Sequence, residues 1–198
     1  MNKLETIIGD YSGFLNDVLT RTANEGFDFG DFVQIDHLDY RTISLENYEE
    51  KKSQLQEVAE LKNESIINGR PISTYLLNET IAHPHIESDS SRLDPWQVDV
   101  VELIAPKDGS DFPEGPNHVE YVLRRGIPEF LEKYKGKPFE MRAADRGINP
   151  EVGLPLGNLM MKVHNLSLLT VVDLQRRLGF DEISDNQTAK DLLRLKNQ

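Results

Sequence analysis

The sequence predicts an α+β fold in which two βαβββ modules are framed by helices at both ends of the chain. Three observations carry that expectation. Segments in which β-branched and aromatic residues alternate with polar ones recur as VQIDHLDYRTI, WQVDVVELIA, HVEYVL and NLMMKVHNL, at strand length and strand period. Polar, charged segments of helical spacing follow the first and the third of these. Asn68-Gly69 stands between two apolar runs in ESIINGRPISTYLL, where a type I′ turn wants positive φ at both central positions.

The elements follow in order. Residues 1–28 form a helical extension, because Leu4, Ile7, Ile8, Tyr11, Leu15, Val18 and Leu19 recur at helical spacing. They do not make the unbroken apolar block of a signal peptide. NEGFDFGDF breaks the helix and opens the first module, 29–107, whose first strand lies in VQIDHLDYRTI. SLENYEEKKSQLQEVAELKNE is its helix, capped by Ser44, with Tyr48, Leu55, Val58 and Leu61 on one face and Glu49-Glu50-Lys51-Lys52 on the solvated one. The Asn68-Gly69 hairpin supplies two strands, a polar loop intervenes, and WQVDVVELIA is the fourth. The Gly/Pro/Asp-rich stretch PKDGSDFPEGP links to the second module, 113–166, with HVEYVL, a short helix in PEFLEKYKG, weaker strands from FEMRAAD onward, and NLMMKVHNL. Residues 167–198 close the chain with two helices, the first stopped by Gly179. All 198 residues are expected in one domain.

Composition narrows the partners. The formal net charge is −12, from 34 acidic and 22 basic residues, so nucleic acid and anionic membrane are disfavoured by repulsion. A metal ion or small-molecule ligand fits better. There is no cysteine, which removes disulfides, zinc fingers, iron–sulfur clusters and thiol chemistry and suits a cytoplasmic protein. No apolar run approaches the roughly 20 residues a membrane helix needs. The expected state is a monomer or homodimer.

Successive strand side chains point to opposite faces, so each face can be read separately. Alternation sets Leu38 and Tyr40 against His37, Asp39 and Arg41, and Val101 and Leu103 against Val98, Val100, Glu102 and Ile104. It likewise sets Val119, Tyr121 and Leu123 against His118 and Glu120, and Met161 and Val163 against Met160, Lys162 and His164. A lone strand histidine reads as structural, and a lone glutamate as the partner of a cation. Recurrence on equivalent faces in both halves points instead to a shared ionisable cavity. An unpaired buried carboxylate such as Glu102 must be paired, protonated or metal-bound. Arg41 and Arg70 are candidates to hold a substrate carboxylate or phosphate by forked hydrogen bonds, or Arg41 pairs with Asp39, Glu102 or Glu120. His83-Pro84-His85, with Glu87, is read as a solvated loop.

The repeated βαβββ order, with a histidine in the first strand of each half and Glu102 in a VEL sequence, resembles the vicinal oxygen chelate superfamily of glyoxalases, extradiol dioxygenases and fosfomycin-resistance proteins. IDHLDYR, ESIINGRPISTYLL, WQVDVVELIAPK and PEGPNHVEYVL are similar to its YecM branch, over roughly residues 30–165. The resemblance implies a U-shaped sheet whose first and fourth strands supply metal ligands, which by position are His37, Glu102 and His118. The fourth position holds Lys162, with His164 on the same face as a replacement. A divalent Fe, Mn, Ni, Co or Zn would then act as Lewis acid toward a substrate with two neighbouring oxygens, and Glu120 or Glu102 would shuttle a proton. The resemblance leaves open isomerase, lyase, dioxygenase-like oxidoreductase and no catalysis at all. A non-catalytic binder of a small anion, with Lys162 neutralising Glu102, is the competing expectation, and an interaction module whose flanking helices dock a partner is a third.

Overall fold

A computed structural model describes residues 2–84, 94–107, 109, 112–146 and 149–177. His85, Glu87, Gly179 and the expected last helix lie outside the described residues. The first helix divides into α1 (Lys3–Ile8) and α2 (Tyr11–Asn24). Gly9, at φ 74°, turns the chain through the left-handed region, and Asp10 caps α2 by accepting from the Gly13 N–H at 2.7 Å.

A short 3₁₀ turn leads into β1 (Phe32–Arg41), and α3 (Leu45–Leu55) follows. The expected helix through Leu61 is overturned: α3 ends at Leu55 and AELKNE belongs to β2 (Ala59–Ile67). Pairing with the next strand, Ala59 to Leu77 and Leu61 to Tyr75, outweighs the helical spacing of those residues. Asn68 (φ 53°) and Gly69 (φ 77°) make the expected turn into β3 (Arg70–His83). Then come β4 (Trp96–Ile104), β5 (Gly115–Leu123), α4 (Ile127–Lys133), β6 (Glu140–Ala143), β7 (Glu151–Leu156), β8 (Leu159–His164) and α5 (Leu168–Arg177).

The strands form one mixed sheet in the order β2-β3-β4-β1-β5-β8-β7-β6, an α+β architecture. β1 runs parallel to β4, and β5 parallel to β8. The two central strands, β1 and β5, meet antiparallel, with His37 opposite Glu120. Helices α1 to α4 bury one sheet face: Ile8, Leu15, Val18 and Leu19 pack with Leu38, Tyr75, Val101, Tyr121, Phe130 and Val163 in a single core. Each fully buried aliphatic side chain in it contributes about 1.5–3 kcal/mol. The apolar stripe of α2 is therefore buried inside the chain. Among the described residues no helix is long and apolar enough to cross a membrane.

Two strands depart from even alternation. The core takes Phe32, Ile35, Leu38 and Tyr40 from β1, with a bulge against β5 between Ile35 and His37. It takes Trp96 and Val98 but then Val101 and Leu103 from β4, so Val98 does not share the face of Glu102. β5 and β8 alternate regularly, with Val119, Tyr121, Met161 and Val163 inward.

Candidate functional site

Opposite the core, the middle of the sheet carries a buried cluster of ionisable groups. The β1 bulge turns both Asp36 and His37 onto this face, and regular alternation adds Asp39. β4 contributes Glu102, beside Asp39, β5 contributes His118 and Glu120, and β8 contributes Lys162 and His164. Asp36, His37, Asp39, His118, Glu120 and His164 are all buried, and Glu102 is half-buried.

The two β1 and β5 histidines are held alike. His37 Nδ1 lies 2.8 Å from Asp36 Oδ2, and His118 Nδ1 lies 2.9 Å from Asn117 Oδ1. In each ring one nitrogen is fixed by a side-chain oxygen and Nε2 is turned into the cluster. There His37 Nε2 stands 3.3 Å from Asp39 Oδ1 and 3.6 Å from Glu120 Oε1, and His118 Nε2 contacts Asp39 Oδ2 and stands 3.2 Å from Glu120 Oε1. His37 Nε2 and both Asp39 oxygens are buried without a well-formed hydrogen bond among the described residues.

Electrostatics follows from this crowding. Burial opposes protonation of His37, but Glu120, Asp36 and Asp39 outweigh it and raise its pKa. Asp36 is desolvated yet lowered to about 2 by His164 and His37, and Asp39, also desolvated, is held low mainly by His118. Glu120 is lowered despite burial, chiefly by Lys162, whose Nζ donates to Oε1 at 2.7 Å. Glu102 is pushed up to about 8 by burial and the adjacent Asp39 charge.

The expected ligands come together on one face but not in one tight group. His37 and Glu102 gather with Asp39, His118 gathers with Asp39 and Glu120, and His164 gathers with Asp36 and His37. Lys162 faces Glu120 and, at 3.4 Å, Glu151. It does not neutralise Glu102 directly, because the β5–β8 register sets it beside Glu120 while Glu102 lies on β4, beyond β1. His164 Nε2 is 3.3 Å from both Asp36 Oδ2 and Glu120 Oε2. Sequence reasoning missed Asp36, which only the bulge brings to this face, and passed over Asp39 and Asn117 as functional groups. Asp39 was visible on the His37 face; Asn117 gave no signal beyond its place before His118.

Around the cluster, Leu168 at the start of α5 donates its N–H to Asp36 at 2.8 Å. A cavity of about 360 Å³ opens beside Asp36, lined among others by Ile35, Gln97, Asp99, Val100 and Leu169. Arg41 and Arg70 meet in a separate small pocket at the end of β1, with Ala105, Pro106 and Phe112. His83 is not in a solvated loop: it ends β3, buried, with Nδ1 2.9 Å from Pro84 O and Nε2 3.2 Å from Ser12 O on α2. Lys51 and Lys52, expected on a solvated face, are partly buried, Lys52 by its 2.6 Å pair with Glu64 on β2.

Comparison with known proteins places these elements. The family model described as YecM protein matches residues 3–143, which include His37, Glu102, His118 and Glu120 and end before Glu151, Lys162 and His164. Protein YecM of Escherichia coli (strain K12) is 28% identical over 131 residues, 66% of this chain and 63% of that protein, so the match spans less than two thirds of the relative. The solved structure titled Structural Genomics, Protein EC4020 has the same fold, with a TM-score of 0.62 at 24% identity over 88% of this chain and 94% of that one. Hypothetical protein BH1468 from Bacillus halodurans C-125 reaches a TM-score of 0.44 at 14% identity over 67% of this chain and 94% of its own.

Proposed function

The chain belongs to the YecM family, and within it we propose a divalent-metal centre of the vicinal oxygen chelate kind that binds a small oxygen-rich molecule. The halves on either side of the β1–β5 seam, each a strand, a helix and three strands, are read as the two modules of that superfamily. The carrying observation is the pair of imidazoles, each clamped at Nδ1 by a side-chain oxygen and each turning Nε2 toward Asp39 and Glu120. Metal-binding histidines are oriented in this way by a second partner.

The residues fit a divalent ion. Ligand atoms about 2.1 Å from an ion at tetrahedral angles stand about 3.4 Å apart; His37 Nε2 and Asp39 Oδ1 are 3.3 Å apart, Glu102 gathers with both, and His118 Nε2 contacts Asp39 Oδ2 from β5. His37, Asp39, Glu102 and His118 would hold the ion, and His164 supports Asp36, which holds His37. Imidazole with carboxylate suits Fe, Mn, Co, Ni or Zn. Such an ion supplies a Lewis acid for two neighbouring substrate oxygens. Lys162 fixes Glu120 in its ionised form beside His118. An isomerase, lyase or oxidoreductase reaction is compatible with this arrangement.

The test is elemental analysis of untagged protein, then titration of chelator-treated protein with Mn, Fe(II), Co, Ni and Zn. One ion per chain is expected, with His37→Ala and His118→Ala each weakening it at least tenfold. No binding, or binding that both variants leave unchanged, overturns the metal reading and favours the cluster as an internal ion-pair network.

A further inference from the structure

We infer that Arg41 and Arg70 form an oxyanion subsite, so that the molecule taken by this protein carries a carboxylate or phosphate. The link from this subsite to a substrate rests on the metal centre proposed above; the anion site itself does not.

The sheet brings the two arginines together from positions far apart in sequence. Arg41 ends β1 opposite Ile104, and Ile72, two residues after Arg70, pairs with the same Ile104 from the other side. Strand β4 therefore stands between two guanidinium-bearing strands at its end. Arg41 lies on the face of Asp39, because β1 and β4 keep regular register from Leu38 to Arg41. One β-period, roughly 7 Å, separates Arg41 from Asp39 along the strand.

The guanidinium groups are arranged to receive something flat and negative. The Arg41 guanidinium carbon lies 4.2 Å from the Phe112 ring centroid, a stacking that fixes its plane and leaves its N–H edges for in-plane acceptors. Arg70 Nη1 donates to Ala105 O at 3.2 Å, which anchors that group at one corner among the described residues. The Nε atoms of both are buried and have no hydrogen-bond partner among the described residues. A buried donor left unsatisfied is costly, and two guanidiniums in one pocket repel each other. An oxyanion accepting from the outer N–H groups of both guanidiniums answers the repulsion. The space between them, about 10 Å³, takes one water-sized group, such as a single oxygen of a carboxylate or phosphate.

Calorimetric titration of the full chain, chelator-treated at low ionic strength, with inorganic phosphate and separately with acetate tests this. Saturable binding of one of them is expected; the tighter binder assigns phosphate or carboxylate. Arg41→Gln and Arg70→Gln should each weaken it at least tenfold while leaving the Mn affinity within about twofold. Arg41→Lys should recover only part of the loss, because a point charge cannot make the fork. Unchanged anion binding in both Gln variants, or no binding of either anion beyond the effect of matched chloride, overturns the subsite. If Mn fails to bind wild type while phosphate binds through the arginines, the metal reading falls and the anion site stands.

Discussion

Asp36 shows how one side chain can set the chemistry of another. Its Oδ2 meets His37 Nδ1 at 2.8 Å and accepts from the Leu168 N–H at the same distance, with His164 Nε2 at 3.3 Å. A carboxylate held in three directions keeps His37 in one tautomer and one orientation. Asp36→Asn keeps the volume but removes the charge, and its amide can turn a donor toward His37. The expected result is a 10–100-fold loss of metal affinity with the fold retained, measured by competition against a chromophoric chelator. Asn117→Ala should act on His118 in the same direction and by less, because it removes a neutral acceptor. A variant pair that binds metal as wild type does would remove both residues from the centre.

At the scale of the element, α3 is tied to the edge of the sheet by a small polar network. Glu64 on β2 accepts from Tyr48 at 2.9 Å and from Lys52 at 2.6 Å, both on α3. Burial raises the Glu64 pKa, but Lys52 and Tyr48 outweigh it and the net shift is downward. A carboxyl group with a lowered folded-state pKa stabilises the protein above its unfolded value near 4.5, and that contribution is lost as pH falls through the folded value. Glu64→Gln should therefore cost about 1–2 kcal/mol at pH 7, with the gap to wild type closing below about pH 4. Denaturant melts at pH 7 and pH 3.5 read this directly, and an equal gap at both would refute it. The same edge shows where sequence patterning fails. Val58 and Leu61 continue the helical spacing of Tyr48 and Leu55, yet Ala59–Ile67 is drawn into pairing with β3, an interaction no local window contains. β5 and β8 keep strict alternation, so the shared face of His118, Glu120, Lys162 and His164 was legible. β1 changes parity twice and β4 once, which hid Asp36 and misplaced Val98. His83 escaped because its burial depends on the carbonyl of Ser12, 71 residues away.

Across the whole molecule, the ionisable cluster joins the two halves of the sheet at the seam where β1 meets β5. Its groups come from β1, β4, β5, β7 and β8, and its carboxylates Asp36, Asp39, Glu102, Glu120 and Glu151 outnumber the one lysine among them. This excess raises the pKa values of His37, Glu102 and Glu151. A divalent ion would relieve it with fixed charge and would bridge strands from both halves. A ligand that binds only the folded chain at a hundred times its dissociation constant adds about 2.7 kcal/mol. For a chain of this size, each kcal/mol moves the midpoint by roughly 2–4 °C. Saturating Mn or Zn should thus raise the melting temperature of chelator-treated protein by about 5–11 °C. His118→Ala removes the β5 ligand and should abolish most of that rise, whereas Lys133→Ala, on the helical side of the sheet, should leave it intact. A rise of the same size in His118→Ala would mean that the ion binds elsewhere on this acidic surface and that the seam is held by its own ion pairs.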